Sequence, residues 1–448
     1  MAIINRINLS QLEDELRFDS QYYTPNNMLL EQEILAFPTR LLGSVALVTD
    51  GQHGYFRLDE SSEIRQITAK CIKEGLVDKT VADRLSSITH NRNMRSSLAP
   101  GDVLVTTAGT IGEIGLVTDD VPPANIDQDI GRIAIHDASV SPHFIWAFLQ
   151  SKFGRFQIDR FTTGQVQTHL SLKKMKKMRL PLLSNHKSVE DLVCRYVDAK
   201  SVSKGAYKSA KQLLDSALGL DKLTFQKPIG YTASLSEIET SRRFDSERYF
   251  PFFRAFRAKL PDNISLSDLS NDLYFCKRGK QPTYSTTGLP VINSKHVQPN
   301  RVLLDENRRA RPNIESNLQI RRGDTLLNGT GRGTIGRAAP YLSEEMAVPD
   351  NHVTILRSRS LDPAYLSLYL NSAAGQMQVE MHQRGSSGQL ELYPLDIRKF
   401  FVWFAPDDFQ QEIRRLHDVA AAAERESHLL LEQTKSRVEQ LIEEAAQS

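Results

Sequence analysis

The feature that most constrains this chain is that it contains itself twice. RFDSQYYTP at Arg17 to Pro25 returns as RFDSERYFP at Arg243 to Pro251, an offset of 226. ITAKCI, from Ile67, matches INSKHV, from Ile292, at 225. GDVLVTTAGTIG, from Gly101, matches GDTLLNGTGRGTIG, from Gly323, at 222 rising to 224. SPHFIWAFLQSKFGRFQI matches DPAYLSLYLNSAAGQMQV, with Pro142 facing Pro363 and Gly154 facing Gly375, at 221. The order is kept, and the drift of a few residues is what loop insertions produce. A period above 200 residues is far too long for a solenoid, so the sequence predicts a tandem pair of similar domains.

Length agrees, since 448 residues at roughly 100–200 per domain give two to four domains. With 40% hydrophobic and 25% charged residues the chain has material for true cores and is not a disordered polyelectrolyte. Cys71, Cys194 and Cys276 form no CxxC pair and no zinc spacing, which points to a reducing compartment. No signal-peptide pattern and no run of 18 apolar residues is present, so the expected location is the cytoplasm.

Each copy ends alike. After Pro181 the positions Val189, Leu192, Tyr196, Ala199, Ser203, Ala206, Ala210, Leu213, Ala217 and Leu220 alternate steps of three and four, and nine of the ten are apolar. After Pro406 the positions Phe409, Ile413, Leu416, Ala420, Ala423, Ser427, Leu430, Thr434, Val438, Leu441 and Ala445 do the same, with one slip between Thr434 and Val438. A seam sustained over four heptads predicts coiled-coil helices, about 45 and 60 Å long. The alternative is two amphipathic helices, each packed only on its own domain.

Within each copy the pattern is β-rich. Strands are predicted at residues 44–48, 103–107, 131–135, 290–293, 325–328 and 353–357. Helices are predicted over residues 142–158 and 363–381, the second capped by Asp362. The fold class is therefore α+β: two tandem β-rich domains separated and followed by long helices that form an antiparallel coiled coil, with pseudo-twofold organisation. The expected boundaries are 1–185 and 223–405 for the domains, 186–222 for the central helix and 406–448 for the C-terminal helix.

No catalytic constellation emerges. Gly331, Gly333 and Gly336 fit G-x-G-x-x-G, but Pro340 follows closely and no helix opens there to meet a pyrophosphate. The first copy, Gly109, Gly112 and Gly115, loses the spacing, so strand–glycine turn–strand fits both. Walker A, H-E-x-x-H and Gly-x-Ser-x-Gly strings are absent, and the eleven histidines are scattered. His53, His169 and His296 are read as surface contacts in loops rather than metal ligands.

The net charge of +2 hides a division. Residues 1–185 hold 20 basic and 21 acidic side chains, residues 223–405 hold 24 and 18, and residues 406–448 hold 5 and 10. Basic residues cluster with amides in loop-like stretches, such as Asn91 to Arg95 and Arg308 to Arg311. Such loops can anchor phosphates and read base edges, although each could equally be a solvated surface.

With the RFDS-x-x-Y segments, the I-x-x-K strand ends at Lys70 and Lys295, the GD-strand-GTIG hairpins and the G-Q pairs at Gly164-Gln165 and Gly388-Gln389, the chain resembles the DNA-specificity (S) subunit of type I restriction-modification systems. The resemblance covers nearly the whole chain. It implies tandem target-recognition domains whose loops read a bipartite double-stranded DNA target, one half-site each, with the helices setting the spacer. It implies no catalysis, metal or cofactor in this chain. S-adenosylmethionine, ATP and Mg belong to partners, namely two methyltransferase (modification) subunits and a restriction/translocase subunit, with no membrane involved. The DNA-binding residues implied are Gln52, His53, Lys70, Arg92, Arg95, Thr110, Gln165, Gln167 and His169 in the first domain. In the second they are Lys277, Arg278, Lys280, Lys295, His296, Arg332, Arg337, Arg384 and Gln389. RFDS-x-x-Y is not shared by every such subunit, which leaves open a recognition subunit of another methyltransferase-based anti-phage system. A coiled-coil scaffold for protein binding is the remaining alternative.

Overall fold

The computed structural model describes residues 22–446 except 37, 55, 163–167, 183–185, 225–228, 306, 312–315 and 386–388. The chain divides into two compact units, Met1–Ala199 with Arg425–Ser448, and Lys200–Glu424. Both division points fall inside long helices, Lys187–Ala217 and Asp407–Ala446. Among the described residues no helix is long and apolar enough to cross a membrane.

The first unit is built on a six-stranded sheet in the order Ala46–Asp50, Ile130–Ile135, Val103–Thr106, Ile114–Leu116, Leu76–Val77 and Ile72–Lys73. Val103–Thr106 and Ile114–Leu116 are buried at every position, as strands covered on both faces must be. The second unit repeats the plan with Leu273–Arg278, Val353–Ser358, Thr325–Asn328 and Ala338–Pro340. Both contain a short parallel pair, Arg65–Ile67 with Ala124–Ile126 and Leu289–Ile292 with Val348–Pro349. The predicted strands are present, except that residues 42–45 form a short helix and the first strand begins at Ala46.

Where one helix is expected in each domain, the structure has two: Pro142–Gln150 and Lys152–Phe161, then Pro363–Asn371 and Ala373–His382. The breaks are Ser151 and Ser372, both extended, whose hydroxyls donate to Phe148 O at 2.7 Å and Tyr369 O at 2.6 Å. The paired glycines follow directly. A Cβ on Gly154 would lie 2.2 Å from Phe148 O, and one on Gly375 would lie 2.3 Å from Leu370 O. Asp362 caps its helix as expected, accepting from Ala364 N at 2.7 Å.

Two further devices recur. Asp102 is buried against Arg132 (Nε to Oδ2, 2.7 Å), and Asp324 against Arg357 (Nε to Oδ1, 2.7 Å). Gln157 exchanges two hydrogen bonds with the Arg179 backbone at 3.1 and 2.8 Å, and Gln378 does so with Phe401 at 2.9 and 2.6 Å. Each glutamine thus ties the domain's second helix to the short strand that leads into a long helix.

In the first unit the two long helices run antiparallel, with Arg437 near Ser188 (3.3 Å) and Glu426 near Arg195 (3.5 Å). In the second, Glu424 accepts from Lys200 at 3.0 Å and Ser203 at 3.1 Å, and also from Arg301. The central helix stops at Ala217 because Gly219 adopts φ +67°, so Leu220 lies beyond it. Near its ends Val193, Leu214 and Leu218 are buried in place of the expected Leu192, Leu213 and Ala217. There the helix turns toward its own unit's core, so both sequence readings of the helices hold in part. In the C-terminal helix the four-residue step from Thr434 to Val438 continues to Ile442, all three buried.

Candidate nucleic-acid interface

In both units one end of the sheet is wired identically. Thr107 N donates to Asp129 O and its carbonyl accepts from Leu170 N (2.8 and 3.0 Å). Gly329 N donates to His352 O and its carbonyl accepts from Leu392 N (both 2.8 Å). These contacts bring the glycine-rich hairpin, an aspartate turn and the segment before each long helix to one edge. The aspartates are Asp127 and Asp350, each accepting from the backbone two residues on, at 3.1 and 2.8 Å. Burial pushes both carboxyls up, Asp127 to about 6.

Gly51 and Gly279 lie against these turns. A Cβ on Gly51 would meet Ile126 O at 2.0 Å, and one on Gly279 would meet Asp350 O at 2.2 Å. Only glycine permits that approach, which delivers Gln52 and Lys280 to the same edge. Gln52 is half-buried and bridges to Asp127; Lys280 is exposed.

The structure gathers some of the residues implied by the resemblance. His53 and Arg95, both exposed, converge on Asp50 at 3.1 and 2.9 Å. Arg278 and Arg384 both lie over the Tyr393 ring, at 5.3 and 5.8 Å. Lys295 and Arg337 share Gln298, which donates to Lys295 O at 2.7 Å and accepts from Arg337 at 3.2 Å. Arg332 and Thr110 occupy the exposed hairpin tips. Arg92 ends an exposed short helix, and Lys70 pairs with Asp83 at 3.0 Å. Lys277, His169 and Gln389 are exposed; Gln165 and Gln167 lie outside the described residues.

Some placements differ from expectation. His296 is not a surface contact: it is buried, accepts from Asn293 N at 3.1 Å, and burial with Lys295 nearby pushes it down to about 4. It occupies the place of buried Cys71 in the other copy, and the I-x-x-K spacing gives no signal for that. Arg278 is half-buried and donates to Leu392 O (2.7 Å) and Gly329 O (3.3 Å), so it binds loops together. Arg384 is held by both oxygens of Asp396 at 2.9 and 3.0 Å. Arg308, in a basic cluster but not among the residues implied, stacks on the Tyr284 ring at 3.4 Å, a cation–π platform suited to a polyanion. Tyr284 is 24 residues away in sequence, and no spacing announces the pair.

The hairpin tips confirm the strand–turn–strand reading. Gly109 and Gly112, like Gly331, Gly333 and Gly336, have positive φ, and the flanking strands pair antiparallel. No helix begins there.

No family model matches the chain. A segment of 136 residues is 28% identical to the type I restriction enzyme EcoBI specificity subunit of Escherichia coli; the match covers 30% of this chain and 28% of that protein, so it spans little more than a quarter of the relative's length. Among solved structures the chain is similar to the S subunit of a type I restriction-modification system from M. genitalium, with 11% identity, a TM-score of 0.41, and 91% of this chain and 96% of that chain covered. A chain from a study of assembly and conformational transition of the type I R-M system aligns with 17% identity and TM-score 0.32, covering 92% and 97%. The HsdS subunit from Thermoanaerobacter tengcongensis aligns with 16% identity and TM-score 0.30, covering 91% and 96%.

Proposed function

We propose that this chain is the sequence-specificity subunit of a type I restriction-modification complex. It binds double-stranded DNA and reads a bipartite target, one half-site per unit, while the long helices set the spacer. The carrying observation is that one edge is built twice by the same backbone contacts, and each time it presents basic side chains on loops, beside the half-buried amide of Gln52 in the first unit and the exposed amide of Gln389 in the second. Proteins read sequence with such groups in the major groove, while phosphate contacts fix the register.

Catalysis then belongs to partners: methyltransferase subunits, two per complex, using S-adenosylmethionine, and a restriction subunit driven by ATP and Mg. This chain holds none of these cofactors, and the complex works in the cytoplasm. The sequence resemblance and the match to the EcoBI specificity subunit both support this reading.

Mapping methylated sites genome-wide, with and without this gene, tests it. The expected result is loss of methylation at one split motif. A chimera joined within the central helix to a homologous subunit should methylate a hybrid motif. An unchanged methylome on deletion sinks the proposal.

A further inference from the structure

The duplication supplies an internal control for a site in the second copy. In the first unit Arg160 is buried with its guanidinium 3.9 Å above the Tyr22 ring and its Nη1 2.9 Å from Glu31. Cation, aromatic platform and counter-charge are all supplied by the protein. At the offsets of the repeat, these three positions become Met381, Arg248 and Arg257. The second copy has lost the acid and its cation partner and carries two cations where the ring and the acid stood.

These residues line a cavity of about 950 Å³ within the second unit, a size typical of small-ligand sites. Six cationic side chains line it against three carboxylates. Most of that charge is already matched. Arg254 pairs with Glu237, Arg384 and Lys399 pair with Asp396, and Arg243 is held by Asp245 and the Gln383 carbonyl. The Asp268 carboxylate caps its own turn at Ser270 N.

Arg248 and Arg257 are left over. Among the described residues Arg248 makes no side-chain hydrogen bond or ion pair, and Arg257 has only the face of Phe401, 4.4 Å away. The field is felt by His382 on the same wall. Burial, with Arg248, Lys399 and Arg243 adding to it and Asp396 opposing, pushes it down to about 4. Phe253 and Phe401 give the cavity an apolar wall, while Arg248 is half-buried and Arg257 exposed, so a soluble anion can reach both guanidinium groups.

We propose that this cavity of the second unit is a phosphate-binding site in which Arg248 and Arg257 hold the anion. Guanidinium forks suit a multi-oxygen dianion better than single point charges do. The phosphate can come from a free pyrophosphate-bearing molecule or from the DNA backbone. The second source has a structural route, because a neighbouring cavity of about 330 Å³ shares Arg243 and Arg384 with this one, and Arg384 is among the candidate DNA contacts.

Titration of the purified full chain with inorganic pyrophosphate tests the site, and it does so whether or not the chain recognises DNA. Saturable one-site binding is expected, weakened at least tenfold in both Arg248→Gln and Arg257→Gln. Thermal melts of the two variants without ligand should show no loss of stability, since neither substitution removes a hydrogen bond or ion pair among the described residues; a melt as stable as wild type makes lost binding a site effect. Repeating the titration on chain saturated with duplex DNA separates the sources. Persistent pyrophosphate binding identifies a free ligand, whereas competition together with weaker DNA binding by Arg248→Gln identifies the backbone. Absence of saturable binding, or binding equal in wild type and both variants, overturns the proposal. So does capture of polyglutamate in preference to pyrophosphate, which would make this an acidic-peptide site.

Discussion

The Arg357 guanidinium donates to both carboxylate oxygens of Asp324, from Nε at 2.7 Å and Nη2 at 3.0 Å, with both groups buried. Its remaining donors reach Asn317 O at 2.9 Å and Gln319 O at 2.8 Å, so one arginine joins the GD turn to the chain before it. Asp324→Ala strands that cation and should cost about 3–5 kcal/mol. Asp102→Ala should cost less, because the Arg132 side chain keeps 14% exposure against 6% for Arg357 and can recover some solvation. Urea unfolding of both variants checks the order. Losses below about 1 kcal/mol for Asp324→Ala would contradict the assigned role.

Glycine substitutions should show opposite signs at different sites. Gly154→Ala and Gly375→Ala push a Cβ into the backbone of the preceding helix, which cannot yield like a flexible side chain. Each should lose about 1–3 kcal/mol. Gly205 sits inside the central helix, exposed, with nothing within 4 Å of an added Cβ. Gly205→Ala should therefore gain about 0.5–1 kcal/mol by restricting the unfolded chain. Thermal melts of the three variants read this directly.

Asp127 predicts a pH dependence. Burial, with Asp129 nearby, raises its folded pKa from 3.8 to about 6. The folded state therefore binds this proton more tightly than the unfolded state does. The associated stability is fully present below about pH 4 and is lost as pH rises through 6. Asp127→Asn keeps the oxygen that accepts from Asp129 N while removing the charge. The variant should match wild type near pH 4 and exceed it by about 1–2 kcal/mol at pH 7, after allowance for partial solvent screening. Denaturation midpoints at pH 4, 5, 6 and 7 test it; a gap independent of pH would refute it.

How far all this was legible in the sequence depends on whether a feature is set by chain-local pattern or by a distant contact. The repeat, the strands and the long helices are local pattern, and they lie close to where the spacing puts them, the first strand starting two residues late and the central helix stopping at Ala217. The register at the helix ends is not local, since Val193 and Leu214 are chosen by the domain each half packs on. The serine breaks at Ser151 and Ser372 are hidden because a serine within an apolar helical run looks like an ordinary helix residue. At the candidate interface, residue type singled out Arg332 and Lys295, which the structure leaves exposed. It could not separate them from Arg278, held by carbonyls more than 50 and 110 residues away, or from His296, folded into the core.

That distinction yields a test of the interface itself. Arg332 is exposed at the hairpin tip and makes no hydrogen bond or ion pair among the described residues. Arg332→Ala should leave the unfolding midpoint unchanged and weaken binding to cognate DNA about tenfold at fixed salt. If the contact is to a phosphate, the slope of log K against log salt should also fall by about one, with non-cognate DNA affected equally. A contact to a base edge would instead spare the slope and relax specificity at one position. Arg278→Ala should behave differently, because it takes the guanidinium donor from Leu392 O, leaves Gly329 O with only its bond from Leu392 N, and loosens the edge that presents the loops. It should lower stability by about 1–3 kcal/mol before any effect on DNA is considered. Parallel melts and salt-titrated binding of the two variants separate a contact residue from a scaffold residue. Equal DNA affinity for wild type and Arg332→Ala at every salt concentration would remove the hairpin tip from the interface.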